Sequence, residues 1–122
     1  MKHLGIIALC CILFCAFGTI AYGQEFQMGT FSLTPSSDGY SLNKGSGERI
    51  VLLEVAFPKS FEVKPDVILN LNTIDADKTE NLRISMKSAS ISRDGFTIQV
   101  RTWAESKINM VGGTWIAVSP KK

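Results

Sequence analysis

The chain has 122 residues, and its 13 lysines and arginines nearly balance 11 aspartates and glutamates, leaving a net charge of +2. Acids and bases are interspersed with no basic block, so the electrostatic footprint that nucleic-acid binding requires is missing. All three cysteines (Cys10, Cys11 and Cys15) and the only histidine, His3, fall near the start, so the rest of the chain can build no disulfide, zinc site, or Ser-His or Cys-His nucleophile.

The first element is Met1-Lys2-His3, a short basic start, followed by an apolar run from Leu4 to Phe17 and small residues around Ala21-Tyr22-Gly23. This pattern predicts a cleavable secretory signal over residues 1–23. Extending the apolar stretch to Ala21 approaches the ~20 residues of a membrane span, which is the competing reading as a signal anchor. No convincing lipobox precedes the cysteines. Cleavage after Gly23 leaves one domain, residues 24–122, secreted to the extracellular space with no membrane insertion. A chain of that size buries roughly three-fifths of its surface around a single core. Without disulfide staples, its stability rests on that core or on oligomerisation.

From Gln27 onward, short β-type runs alternate with turn residues, and no helical periodicity is sustained. Six strands are predicted: Gln27–Thr34, Ile50–Phe57, Asp66–Ile74, Asn81–Ser90, Gly95–Trp103 and Gly113–Ser119. Alternation is clearest in the fourth and fifth, where Leu82, Ile84 and Met86, and Phe96, Ile98 and Val100, are expected to face a common core. The third run (Val67, Ile68, Leu69, Leu71) and the sixth (Trp115, Ile116, Val118) are apolar on both faces in places, which points to central strands or to a surface covered by another copy of the chain. Ser36-Ser37-Asp38-Gly39 and Asn43-Lys44-Gly45-Ser46-Gly47 are loop-forming clusters. Pro58 and Pro65 bracket a connection that cannot be central strand, and Ser92-Arg93-Asp94-Gly95 is the strongest hairpin signal. The fold class is all-β, a six-stranded antiparallel β-sandwich.

That hairpin sets a register. With the turn centred near Arg93-Asp94, partners across strands four and five have numbers summing to roughly 187, so Arg83 lies opposite Trp103-Ala104. Both Arg83 and Trp103 have outward parity, so a guanidinium and an indole converge at one end of the sandwich. The plain interpretation is a surface cation–π pair worth about 0.5–1 kcal/mol. The sharper one is a sugar site, with the indole as an apolar platform for a pyranose ring and the guanidinium donating to its hydroxyls. The segment Ala104 to Asn109 would line the same corner. Asp75, Asp77 and Glu80 cluster in a turn that lacks the ligand spacing of an EF-hand loop, so a solvated acidic turn is the simpler reading. A glycosidase is a distant third reading, disfavoured because no acid pair is recognisable: the one acid in an apolar run, Glu54, fits the outward face of strand two more simply.

The string from Val55 to Val118 resembles the H-type lectin domain, known from snail agglutinins and the carboxy-terminal domain of the slime-mould discoidins. The resemblance is carried by Phe57 and Phe61 ahead of Pro65-x-Val67, then Asn81-Leu82-Arg83, Gly95-Phe96, Thr102-Trp103 and Trp115-Ile116-Ala117, with Gln27-Met28-Gly29 matching the first strand. It implies a homotrimer, sometimes doubled to a hexamer, that binds terminal galactose or N-acetylgalactosamine on glycoproteins or cell surfaces, in shallow sites where protomers meet. It assigns sugar binding to Arg83 and Trp103, places Ala104 where the snail agglutinin has a histidine, and places Asn109 where an aromatic often closes the site. Counting back from Phe57 puts Ser46 at the position of the family's acid, with Glu48 as a substitute if the loop shifts. The snail protein's disulfide positions fall on Leu33 and Val100. The expected protein is a lectin, not an enzyme, with no cofactor and no metal. Its agglutinating or adhesive action would come from multivalency; the alternative is a structural or assembly sandwich that has lost sugar binding.

Overall fold

The computed structural model describes residues 24–120. Six antiparallel strands form there: β1 (Phe26–Leu33), β2 (Arg49–Ala56), β3 (Asp66–Ala76), β4 (Ser85–Ala89), β5 (Gly95–Thr102) and β6 (Ile108–Val118). They make two three-stranded sheets, ordered β1-β6-β3 and β2-β5-β4. The predicted signal segment lies outside the described residues.

The sheets pack face to face because alternate residues of each are apolar. Phe31 and Leu33 of β1 and Val111, Trp115 and Ala117 of β6 meet Val51 of β2 and Phe96, Ile98 and Val100 of β5 in one buried cluster. Aromatic rings join the layers. Trp115 lies 5.6 Å from Phe96 and 5.7 Å from Phe57, and Phe57 makes an edge-on contact with Phe61 at 5.0 Å. Leu33 and Val100 are both fully buried members of this core.

The hairpin register holds to within one residue: partners across β4 and β5 sum to 186, as in Ser85↔Arg101 and Met86↔Val100. Ser92 and Gly95 close the turn, the Ser92 amide donating to the Gly95 carbonyl at 2.9 Å. Two strands depart from expectation. The fourth is only Ser85–Ala89, because residues 81–84 leave the ladder. Leu82, expected in the core, is consequently exposed, whereas Ile84 and Met86 do pack against it. The sixth begins at Ile108 instead of Gly113, its early residues pairing with an extended β3 across irregularities at Leu71/Thr73 and Asp75/Ala76. Asn109 is therefore a strand residue, exposed on β6, and not part of a loop.

The topology sorts the connections between two poles. Residues 34–48, 77–84 and 103–107 gather at one, held together by the Gly47 amide on the Ala104 carbonyl at 3.0 Å, the Asp77 amide on the Lys107 carbonyl at 2.9 Å and the Ile108 amide on the Leu42 carbonyl at 2.9 Å. At the other pole lie residues 57–65, the β4–β5 hairpin and both ends of the described chain. There the Ser119 amide donates to the Glu25 carbonyl at 2.8 Å and the Glu25 amide donates to Ser119 Oγ at 2.9 Å.

Each sheet also leaves apolar side chains on its outer face. On β1-β6-β3, Met28, Ile116 and Ile68 are cross-strand partners, and Phe26 lies beside Val118. Phe26, Met28 and Ile68 are 66, 61 and 57% exposed. On β2-β5-β4, Leu52 and Ile50 are exposed.

Candidate functional site

The candidate corner lies at the pole where residues 34–48, 77–84 and 103–107 meet. On the outer face of β2-β5-β4 the last full row is Ile50, Arg101, Ser85. Glu48 and Trp103 lie just beyond the paired ends of β2 and β5, and Arg83 reaches the same end through its backbone bonds to Thr102 and Ser106. Ser46 and Ala104 adjoin that end through the Gly47–Ala104 hydrogen bond. Ser46, Glu48, Arg83, Trp103 and Ala104, five of the six residues expected at the site, all belong to the segments that gather at this pole. Asn109, the sixth, is the exposed second residue of β6, which starts from the same pole.

Arg83 is held by its backbone. Its amide donates to Ser106 Oγ at 3.1 Å, and its carbonyl accepts from Thr102 Oγ1 at 2.6 Å. Thr102 and Ser106 are the buried polar side chains among the described residues, and a buried hydroxyl must find a partner. Both find it in Arg83. These bonds replace a regular ladder and explain why β4 starts only at Ser85. The Arg83 side chain is exposed, and among the described residues its guanidinium makes no hydrogen bond or ion pair.

The cation over the Trp103 ring is Arg101, not Arg83: its guanidinium carbon sits 4.7 Å from the ring centroid. Arg101 also donates from Nε to Glu48 Oε2 at 2.9 Å. Glu48, Arg101 and Trp103 therefore form one chain of contacts, with Trp103 part-buried beneath the guanidinium. The signal for Arg101 is present in the string Arg101-Thr102-Trp103, since residues two apart on a strand share a face. Ala104 turns the chain sharply, with φ of 56°, a left-handed conformation uncommon outside glycine and concentrated at functional corners. Ser46 stands between Gly45 and Gly47, at φ of 68° and 79°, so the loop bends there without steric cost.

Two neighbours have shifted protonation. Burial, aided by the negative charge of Asp75, pushes the Tyr40 phenol up to about 12; its hydroxyl donates to the Ile108 carbonyl and ties residues 34–48 to β6. Asp77 is held below the usual carboxylate range by hydrogen bonds from the amide and hydroxyl of Thr79. Its carboxylate thus caps a turn, and among the described residues no group of three or more ligating side chains gathers into a metal site.

Against this geometry, the model of the family described as H-type lectin domain matches residues 53–118, more than half of the sequence. The chain belongs to the H-type lectin domain family. It is 35% identical over 85 residues to a discoidin-1 chain of Dictyostelium discoideum, a match covering 69% of this chain and 34% of that one. It is 33% identical over 82 residues to the "ATP synthase subunits region ORF 7" product of Fuscovulum blasticum, covering 67% of this chain and 71% of that one. Among solved structures, recombinant discoidin II of Dictyostelium discoideum superposes with a TM-score of 0.73 at 27% identity, covering 82% of this chain and 38% of that chain. The H-type lectin chain thus spans about a third of the length of the discoidins it matches. Family membership makes a carbohydrate-binding lectin the supported general function.

Proposed function

We propose that this chain is a secreted, multivalent lectin for terminal galactose or N-acetylgalactosamine, and that it binds without catalysing a reaction. The observation that carries the reading is the contact chain Glu48–Arg101–Trp103 at one end of β2-β5-β4, with Arg83 bonded through its backbone to Thr102 and Ser106 on either side of that tryptophan. Trp103 supplies an apolar platform, the free guanidinium of Arg83 donates to ring hydroxyls, and Ser46 and Glu48 supply acceptors from the adjoining loop. Ala104, lacking a polar side chain, leaves room beside the ring. A shallow site of this kind holds one sugar at about −4 kcal/mol, on the order of millimolar. Apolar outer faces on both sheets support assembly into a trimer or a pair of trimers, and several sites on one rigid body raise avidity ~10²–10⁴-fold on a glycan-coated surface. The apolar segment at residues 4–17 supports export.

Chromatography on immobilised N-acetylgalactosamine, eluted with competing sugars, tests activity and preference together. Arg83→Ala should abolish retention while leaving a folded protein; unchanged retention would reject the assigned site. A second reading is favoured by the guanidinium of Arg101, which already covers one face of the Trp103 ring and is anchored by Glu48. On that reading the sandwich is an assembly module whose platform is closed. A folded oligomer giving no galactose-type signal on a glycan array would decide for it.

A further inference from the structure

Arg49 opens β2 at the same pole. Its guanidinium donates to four backbone carbonyls: Nε to Gly47 at 3.1 Å, Nη1 to Lys44 at 2.8 Å and to Leu42 at 3.5 Å, and Nη2 to Ala104 at 2.9 Å. The first three acceptors belong to the connection of residues 34–48, and the fourth belongs to the residue that follows Trp103. The Gly47 amide converges on the same Ala104 oxygen at 3.0 Å. Ser46, one residue before that amide, is thereby fixed relative to the indole.

The stretch needs such an anchor. It contains no strand or helix between Leu33 and Arg49, and Gly45 and Gly47 give its backbone wide freedom. Its carbonyls must find donors outside a regular ladder. A planar fork with five N–H donors can serve several carbonyls at once, whereas an ammonium is a point charge on a flexible stem. Lys107 adds one such point contact, from Nζ to the Gly45 carbonyl at 2.8 Å.

We propose that Arg49 is a positioning residue for the carbohydrate site, clamping residues 42–47 onto Ala104 so that Ser46 and Glu48 keep a fixed offset from the Trp103 ring. The inference rests on the lectin reading and goes beyond its list of contacts, since Arg49 acts on the loop and touches no sugar. Without the clamp the loop must be ordered when sugar binds, and the apparent affinity falls by the fraction of time it is correctly placed.

Arg49→Lys tests this, because it keeps the charge and loses the fork. The expected result is a folded protein with a lowered thermal midpoint, amide exchange at Gly47 accelerated by ~10-fold or more, and affinity of the folded fraction for N-acetylgalactosamine weakened by ~10-fold or more. A purely structural role would move the thermal midpoint and leave the affinity of the folded fraction unchanged. Unchanged exchange, or faster exchange with unchanged affinity, would overturn the clamp. Should Arg49→Lys not fold, exchange on the wild-type protein decides: the Gly47 amide should be protected before sugar is added, and protection that develops only with sugar would overturn the proposal. Wild-type protein that binds no sugar defeats the lectin reading and this inference with it, whereas wild type and Arg49→Lys binding equally well defeats the clamp alone.

Discussion

The described chain holds two tryptophans that fold into opposite circumstances. Trp115, on the inward parity of β6, is only 4% exposed and is wedged among Phe57 and Phe96. Its indole lies so close to β1 that Gly29 has no room for a side chain; a Cβ built there would stand 2.6 Å from the ring. Trp103, on the outward parity one step past the end of β5, is part-buried under Arg101 instead of under hydrocarbon. The difference teaches that position in the pleat, not residue type, decides whether an indole stabilises the sandwich or equips its surface.

The largest expected effect is on Trp115. Trp115→Ala should cost about 3–5 kcal/mol in urea unfolding, while Trp103→Ala should leave the midpoint near wild type and eliminate retention on immobilised N-acetylgalactosamine. Equal destabilisation by the two would break the contrast. Gly29→Ala comes next, with an expected loss of about 1–3 kcal/mol from overpacking against the indole, read from the same denaturation curve. Ser106→Ala, which strips the Arg83 amide of its partner, should cost about 1 kcal/mol and weaken sugar binding more than it weakens the fold; calorimetry on the folded variant separates the two.

The pole around Trp103 should also carry a pH dependence that the Trp115 core lacks. Tyr40 has its folded pKa raised to about 12 from 10.0, so the unfolded chain loses its phenolic proton first. The resulting stability is complete below pH 10 and disappears as pH rises through 12. Tyr40→Phe should lose this part of the alkaline slope, measured as the difference between the two chains' pH–stability profiles. The smallest effect belongs to Arg101→Ala, less than about 1 kcal/mol, with Trp103 fluorescence becoming more accessible to acrylamide. Quenching that does not change would remove Arg101 from the ring.

Much of this was legible because strand parity is a local property. Phe96, Ile98 and Val100 announce their burial by alternation alone, and the Ser92–Gly95 turn sets the pairing of β4 with β5 to within one residue. The errors arise where side chains take over backbone bonding. Residues 81–84 have strand-like composition, but Ser106 and Thr102 satisfy Arg83 outside the ladder, a tertiary event that no window of sequence contains. Likewise β6 begins early because a lengthened β3 accepts it through irregular pairing. Arg101 was within reach of the parity rule applied to Arg101 and Trp103. Arg49 was not, since its acceptors lie 2, 5, 7 and 55 residues away and only the folded loop gathers them.

The meeting of Glu25 and Ser119 at the pole opposite Trp103 has a practical corollary. A fusion partner, affinity tag or bead linker attached next to Glu25 or Ser119 would hang behind the sandwich and leave the ring and its guanidinium facing outward. Because Glu25 and Ser119 already touch, a short peptide could also join the domain there, and new termini could be cut into the β4–β5 turn without disturbing the opposite face.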